Sequence, residues 1–139
     1  MLFFDTSGLV KLVLDEVGAD HALDLWNGTR DKAASDLAYP EGRAALARAR
    51  RAGRLSTTEG RRALERFERV YRDLFLVEID RLLTRLAGDL ADQHALRGYD
   101  AVHLASALSL GPERTTVVTW DGDLALAASR SGCAVTPAS

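Results

Sequence analysis

The sequence predicts an α/β fold in which a parallel sheet is covered by helices on both faces. Short apolar runs alternate with longer stretches of helical periodicity, the order expected of successive βαβ units. The first run, Leu2-Phe3-Phe4, is apolar at consecutive residues, as a strand buried on both faces requires. It ends in Asp5 and is followed at once by Thr6 and Ser7, small hydroxyl residues that start helices. A carboxylate at the carboxyl end of a buried strand stands where open α/β sheets bind their ligands.

After that strand, Leu9, Val10, Leu12 and Val13 recur at helical spacing and predict a short helix over 7–14. A second helix is expected over 18–26, closed by Asn27-Gly28, with Leu23, Leu25 and Trp26 in the core. Residues 32–35 make a weak strand, placed mainly by the helix start at its end. Ser35 is a plausible N-cap for an Ala-rich helix over 37–51, although Pro40 removes a backbone donor and allows the helix to restart there with Glu41 in its opening turn. Gly53 breaks this helix. Ser56-Thr57-Thr58-Glu59 has capping-box spacing and opens a helix to about residue 73, with Ala63, Leu64, Phe67, Val70, Tyr71 and Leu74 on its apolar face. A β-rich run over 74–79 reads as the next strand. Asp80 caps a helix to about residue 96 that carries Leu82, Leu83, Leu86, Leu90 and Ala91. Gly98 ends it, and 99–110 forms an apolar helix with a polar first turn. A strand over 115–120, a short helix over 121–131 and a terminal strand over 134–136 complete the chain. No repeat, low-complexity tract or linker interrupts it.

At 139 residues the chain suits one domain, 1–139, large enough for a hydrophobic core. With 47% hydrophobic and 27% charged residues it has the composition of a globular protein. No apolar run approaches the roughly 18 residues of a membrane span, and no basic signal-type region precedes the first strand, so no membrane contact and a cytoplasmic location are expected. The lone Cys133 fits a reducing compartment and reads as a small buried hydrophobe. The net charge of −2 conceals a polarity: residues 41–72 hold ten Arg against four Glu, a local +6, which leaves −8 elsewhere. An Arg-rich block of this kind can hold a phosphate backbone while acids elsewhere hold a metal, and the alternative is a solvated helix face with pairs such as Glu65 with Arg69.

Four acids stand out by position. Asp5 ends the first strand, Glu41 lies near the start of the Ala-rich helix, Asp100 opens an otherwise apolar helix, and Asp121 follows Val117-Val118-Thr119-Trp120. Any one of them is explained as a helix cap. Jointly they ask for more, because capping does not require acids to share one edge of a sheet. Converging carboxylates raise one another's pKa unless a cation neutralises them. All-oxygen sites suit Mg²⁺ or Mn²⁺, and an ion held there activates water for attack on a phosphodiester. His21, His94 and His103 are scattered without zinc spacing and read as surface or packed side chains.

The runs Phe3-Phe4-Asp5-Thr6-Ser7-Gly8-Leu9-Val10-Lys11-Leu12, Ser35-Asp36-Leu37-Ala38-Tyr39-Pro40-Glu41, Tyr99-Asp100-Ala101-Val102-His103-Leu104-Ala105-Ser106-Ala107 and Val118-Thr119-Trp120-Asp121 together resemble a PIN-domain ribonuclease of the VapC toxin type. The resemblance covers nearly the whole chain. It implies a three-layer α/β/α fold with a central, mostly parallel sheet, an Mg²⁺- or Mn²⁺-dependent endoribonuclease, and a toxin restrained by a cognate VapB-like antitoxin. On this resemblance Asp5, Glu41, Asp100 and Asp121 match the acidic quartet as catalytic and metal-holding residues, and Ser7 and Thr119 match supporting hydroxyls. Asp123 is a candidate accessory acid, with a surface turn as the alternative. Arg43 and Arg50 are the candidate contacts to RNA phosphates. A homodimer is also implied. Gly8 stands where a larger residue is frequent, and Gly42 loosens the helix turn that carries Glu41.

Other readings fit less well. Asp5-Thr6-Ser7-Gly8 superficially resembles the Asp-Thr-Gly or Asp-Ser-Gly turn of an aspartic protease, but that fold is all-β and needs two such turns or a symmetric dimer. A haloacid-dehalogenase-like phosphatase needs a second Asp where Ser7 stands. A catalytically inactive PIN-like module that binds RNA or protein is the non-enzymatic alternative, which metal-dependent cleavage separates from the first.

Overall fold

Consecutive apolar residues in the first strand divide between two cores, because successive side chains of a strand point to opposite faces. The computed structural model describes residues 1–137; Ala138 and Ser139, which the one-domain reading includes, lie outside the described residues. Strands β1 (Leu2–Phe4), β2 (Lys32–Ser35), β3 (Phe75–Val77), β4 (Thr116–Val118) and β5 (Ala134–Thr136) pair in parallel in the order β3-β2-β1-β4-β5. Phe3 aligns with Ala33 on one side and Val117 on the other.

Helices cover both faces. On one, Phe3, Ala33 and Val117 pack with Leu83 and Leu90 of α5 (Arg81–His94), Leu104 of α6 (Gly98–Ser109) and Leu124 of α7 (Gly122–Arg130). On the other, Phe4, Ala34 and Val118 pack with Leu9 of α1 (Thr6–Val10), Ala22 of α2 (Ala19–Asn27), Leu46 of α3 (Ala38–Arg51) and Phe67 of α4 (Thr57–Arg72). The expected three-layer α/β/α architecture is therefore the observed one. Cys133 is buried among apolar residues, as expected.

Two glycines permit close approaches in the second core. A Cβ on Gly8 would lie 2.9 Å from the Val118 carbonyl oxygen, so only glycine lets α1 sit against β4. A Cβ on Gly42 would lie 2.3 Å from Cζ of Phe67, so the loosened turn anticipated there is instead the seat of an aromatic ring from α4.

Several boundaries differ from expectation. The first helix stops at Val10, and Leu12 and Val13 are buried from a turn rather than from a helix face. Ser35 ends β2, where its Oγ accepts the Leu37 N–H at 3.1 Å, while α3 starts at Ala38 and takes Pro40 into its first turn, where a missing donor costs nothing. Leu23, expected in the core, is 47% exposed, because Ala22 is the residue of α2 that faces inward. Strand β3 lies at the sheet edge and ends at Val77, and Leu82 of the following helix is also exposed. Among the described residues no helix is long and apolar enough to cross a membrane.

The topology fixes where chemistry can occur. Chain order reverses between β1 and β4: β2 and β3 extend the sheet one way, and β5 extends it the other. A crevice opens at the carboxyl ends of strands at such a reversal.

Candidate active site

Asp5 leaves β1 in extended backbone geometry and caps α1, accepting the Gly8 N–H at 2.9 Å. Its Oδ1 also accepts the Ser7 hydroxyl at 2.7 Å, and its Oδ2 accepts the Thr119 hydroxyl at 2.7 Å. Each hydroxyl has one proton and gives it to Asp5. Their oxygens then serve as acceptors, Ser7 Oγ for the Trp120 N–H at 2.9 Å and Thr119 Oγ1 for the Asp121 N–H at 3.0 Å. This network ties the end of β1 to the end of β4. Asp5 is buried, and burial raises its carboxyl above the ordinary value despite the hydrogen bonds from Ser7, Thr119 and Gly8.

The other three acids reach the same place from three helices. Asp100 lies in the first turn of α6 and is 5% exposed. Burial raises its carboxyl, as does the neighbouring charge of Asp121, against the opposing pull of Arg97. Asp121 caps α7, its Oδ1 accepting the Leu124 N–H at 2.9 Å. Glu41 lies in the first turn of α3, and its Oε1 accepts Thr6 Oγ1–H at 2.7 Å and His103 Nε2–H at 2.6 Å. Burial alone would raise Glu41, but the hydrogen bonds from His103 and Thr6, with the nearby Arg48 guanidinium, outweigh it and hold the carboxyl below the usual range.

Asp5, Glu41, Asp100, Asp121, Ser7, Thr6, Arg97, Tyr99 and His103 line one cleft of about 140 Å³. A larger hollow of about 550 Å³ lies elsewhere, where Lys11 and Arg66 face Asp15 and Asp20. That mixed lining gathers no set of like donors, so the smaller cleft is the candidate site.

The expected quartet is therefore brought together, with Ser7 and Thr119 beside it. Asp123 is not: it is exposed in the first turn of α7 and faces a separate hollow with His94 and Arg130. Arg43 is engaged at the protein surface, donating to the Tyr39 hydroxyl at 2.8 Å and lying 3.8 Å from Glu68. Arg50 is exposed and runs its stem past Gly60 of α4. Three participants were not anticipated. Thr6 and His103 orient Glu41, and Arg97 bridges Asp100 and Asp121, at 3.0 and 3.2 Å. The spacing holds a signal for His103, since it follows Asp100 by three residues and shares its helix face. No sequence signal links His103 to Glu41, 62 residues away. His103 Nδ1 is buried and has no hydrogen-bond partner among the described residues.

The donor set is chemically that of a hard divalent cation, since every candidate ligand is a carboxylate oxygen. The Arg97 guanidinium on Asp100 and Asp121 shows that this acid pair accepts a positive charge. As the side chains stand, however, no three His, Cys, Asp or Glu among the described residues close tightly enough to enclose a metal ion.

Comparison with known proteins adds kinship to this geometry. A family model described as PIN domain matches residues 2–129. Ribonuclease VapC45 of Mycobacterium tuberculosis (strain CDC 1551 / Oshkosh) is 44% identical over 138 residues, which cover 99% of this chain and 96% of that protein. Among solved structures, PAE2754 from Pyrobaculum aerophilum superposes with a TM-score of 0.74 at 22% identity, over 96% of this chain and 89% of that one. A chain of a toxin-antitoxin complex from Klebsiella pneumoniae superposes with a TM-score of 0.65 at 21% identity, over 90% and 91% respectively. At such identities the structural likeness speaks for the fold alone.

Proposed function

The chain belongs to the PIN-domain family and has a ribonuclease VapC among its relatives, and from that premise we propose that it is an endoribonuclease toxin that hydrolyses RNA phosphodiester bonds in the acid-lined cleft. The observation that carries this reading is the meeting of four carboxylates, from the end of β1 and the first turns or caps of α3, α6 and α7, in one cleft at the switch point of the sheet.

Asp5, Asp100, Asp121 and Glu41 are the residues that would hold Mg²⁺ or Mn²⁺. A divalent ion held there supplies Lewis acidity, making water a nucleophile near neutral pH and neutralising phosphate oxygens. The protein's part is orientation and charge. Asp5 is fixed by three donors and so presents its oxygens without a choice of rotamer. Glu41 uses only Oε1 in the network from Thr6 and His103, and its depressed carboxyl stays ionised, leaving Oε2 to orient a water and accept its proton. Arg48, near enough to Glu41 to lower its pKa, adds positive potential on the side from which a phosphate backbone approaches, and Arg43 and Arg50 extend that potential along α3.

The partners come from the same kinship: an RNA substrate, a cognate VapB-like antitoxin and a second copy of the chain in a homodimer. A non-cutting RNA- or protein-binding module would have no use for four gathered acids. The decisive experiment is cleavage of a structured RNA by purified protein in Mn²⁺. Cleavage is expected to stop in EDTA and in Asp100→Asn, and retention of most activity by that variant at matched Mn²⁺ would overturn the assignment.

A further inference from the structure

We infer that Arg97 is an internal counter-ion of the acidic cleft that competes with a divalent cation for Asp100 and Asp121. The inference rests on the metal-holding role proposed for these acids. Its basis is the inventory of their oxygens. Asp121 commits Oδ1 to the Leu124 N–H as the cap of α7, and its other oxygen, Oδ2, carries Arg97 Nη2 at 3.2 Å. Asp100 likewise has Oδ2 on Arg97 Nε at 3.0 Å. One guanidinium therefore bridges both acids through two different nitrogens of its planar fork.

Arg97 thus occupies an oxygen of each of the two acids nearest it in the cleft. A second cation placed on Asp121 Oδ2 would stand next to the guanidinium, and like charges at that separation repel. Apart from Asp100, no buried side chain among the described residues holds Arg97 in place. Its side chain is 59% exposed, and besides the two carboxylates it lies over the Tyr99 ring, 4.7 Å from the centroid. It is thus well placed to neutralise the acids and free to leave them. Exchange of one cation for another never leaves the carboxylates of the cleft without a positive partner.

The test is calorimetric titration of Mn²⁺ into the wild-type protein, Arg97→Gln and Arg97→Lys, together with thermal midpoints in EDTA and in saturating Mn²⁺. Removing the competitor in Arg97→Gln is expected to tighten Mn²⁺ binding by roughly three- to tenfold, the scale of two partly solvated ion pairs, with Arg97→Lys staying nearer wild type. The Arg97→Gln midpoint is expected to fall in EDTA and to recover in Mn²⁺. A merely structural arginine would lower both midpoints alike and leave Mn²⁺ affinity unchanged or weaker, which would overturn the inference while leaving the metal reading intact. Failure of the wild type and both variants to bind Mn²⁺ would overturn both. Should Arg97→Gln fail to fold, the wild type still decides: its Arg97 Nε–H resonance is expected to shift as Mg²⁺ saturates the protein, and a resonance that does not move refutes the exchange.

Discussion

At Asp5 stability and chemistry pull in opposite directions. Burial raises its carboxyl, so the folded chain binds a proton there more tightly than the unfolded chain does. Stability from this group is therefore greatest on the acid side and falls as pH rises from the unfolded value through the folded one. Glu41, whose carboxyl is depressed, has the opposite sign and loses its contribution as pH falls through its folded value. Asp5→Asn keeps an oxygen to cap α1 and removes the buried charge. It is expected to abolish cleavage and, in EDTA, to raise the thermal midpoint by a few degrees near neutral pH, with a gain over wild type that shrinks as calorimetry is repeated at progressively lower pH. His103→Ala leaves Glu41 with Thr6 alone as an orienting donor. The expected result is a drop in kcat of about ten- to a hundredfold with little change in KM, by analogy with the loss of groups that orient metal ligands. An unchanged kcat would show that Glu41 needs no such support. The acids themselves were legible because Asp5, Asp100 and Asp121 each sit where an apolar run meets a helix start, a pattern local to a few residues. Thr6, Arg97 and His103 were not, because their roles come from partners across space, and the Arg43 and Arg50 assignments had only local charge behind them.

At the scale of elements, the signals that held were those written in caps and turns. Ser56 and Glu59 form the reciprocal capping box, and Asp80 caps α5 through the Leu83 N–H at 2.8 Å. Strand lengths were less legible, since runs of β-formers over 74–79 and 115–120 continue past the residues that find a neighbouring strand. Gly42 shows how packing between elements overrides a propensity argument. As a helix residue it is a poor choice, yet Phe67 of α4 requires it. Gly42→Ala is therefore expected to destabilise the fold by about 1–3 kcal/mol, as overpacking does, rather than to stabilise α3. The same substitution presses on the turn that carries Glu41, so denaturant unfolding and cleavage are expected to suffer together. A more stable variant would place Phe67 elsewhere.

For the whole molecule, alternating strands and helices predicted the parallel sheet and its two covered faces, but not the strand order that puts β1 beside β4. That neighbour relation comes from crossovers through α5 and α6, which no local pattern records. It also makes the cleft a sum of four distant segments, so cation binding should stabilise the entire fold. Mn²⁺ at a hundred times its Kd is expected to add about 2.7 kcal/mol to the unfolding free energy, and Asp100→Asn to lose most of that gain in a thermal-shift measurement. The bond from Thr119 to Asp5 spans 114 residues of sequence. Asp5 and Thr119 meet only when the crossover that sets β4 beside β1 is complete, so a break in the chain between them leaves Asp5 without one of its three donors. A cleft assembled this way has no partly folded form, and its acids gather only once β1 and β4 lie side by side.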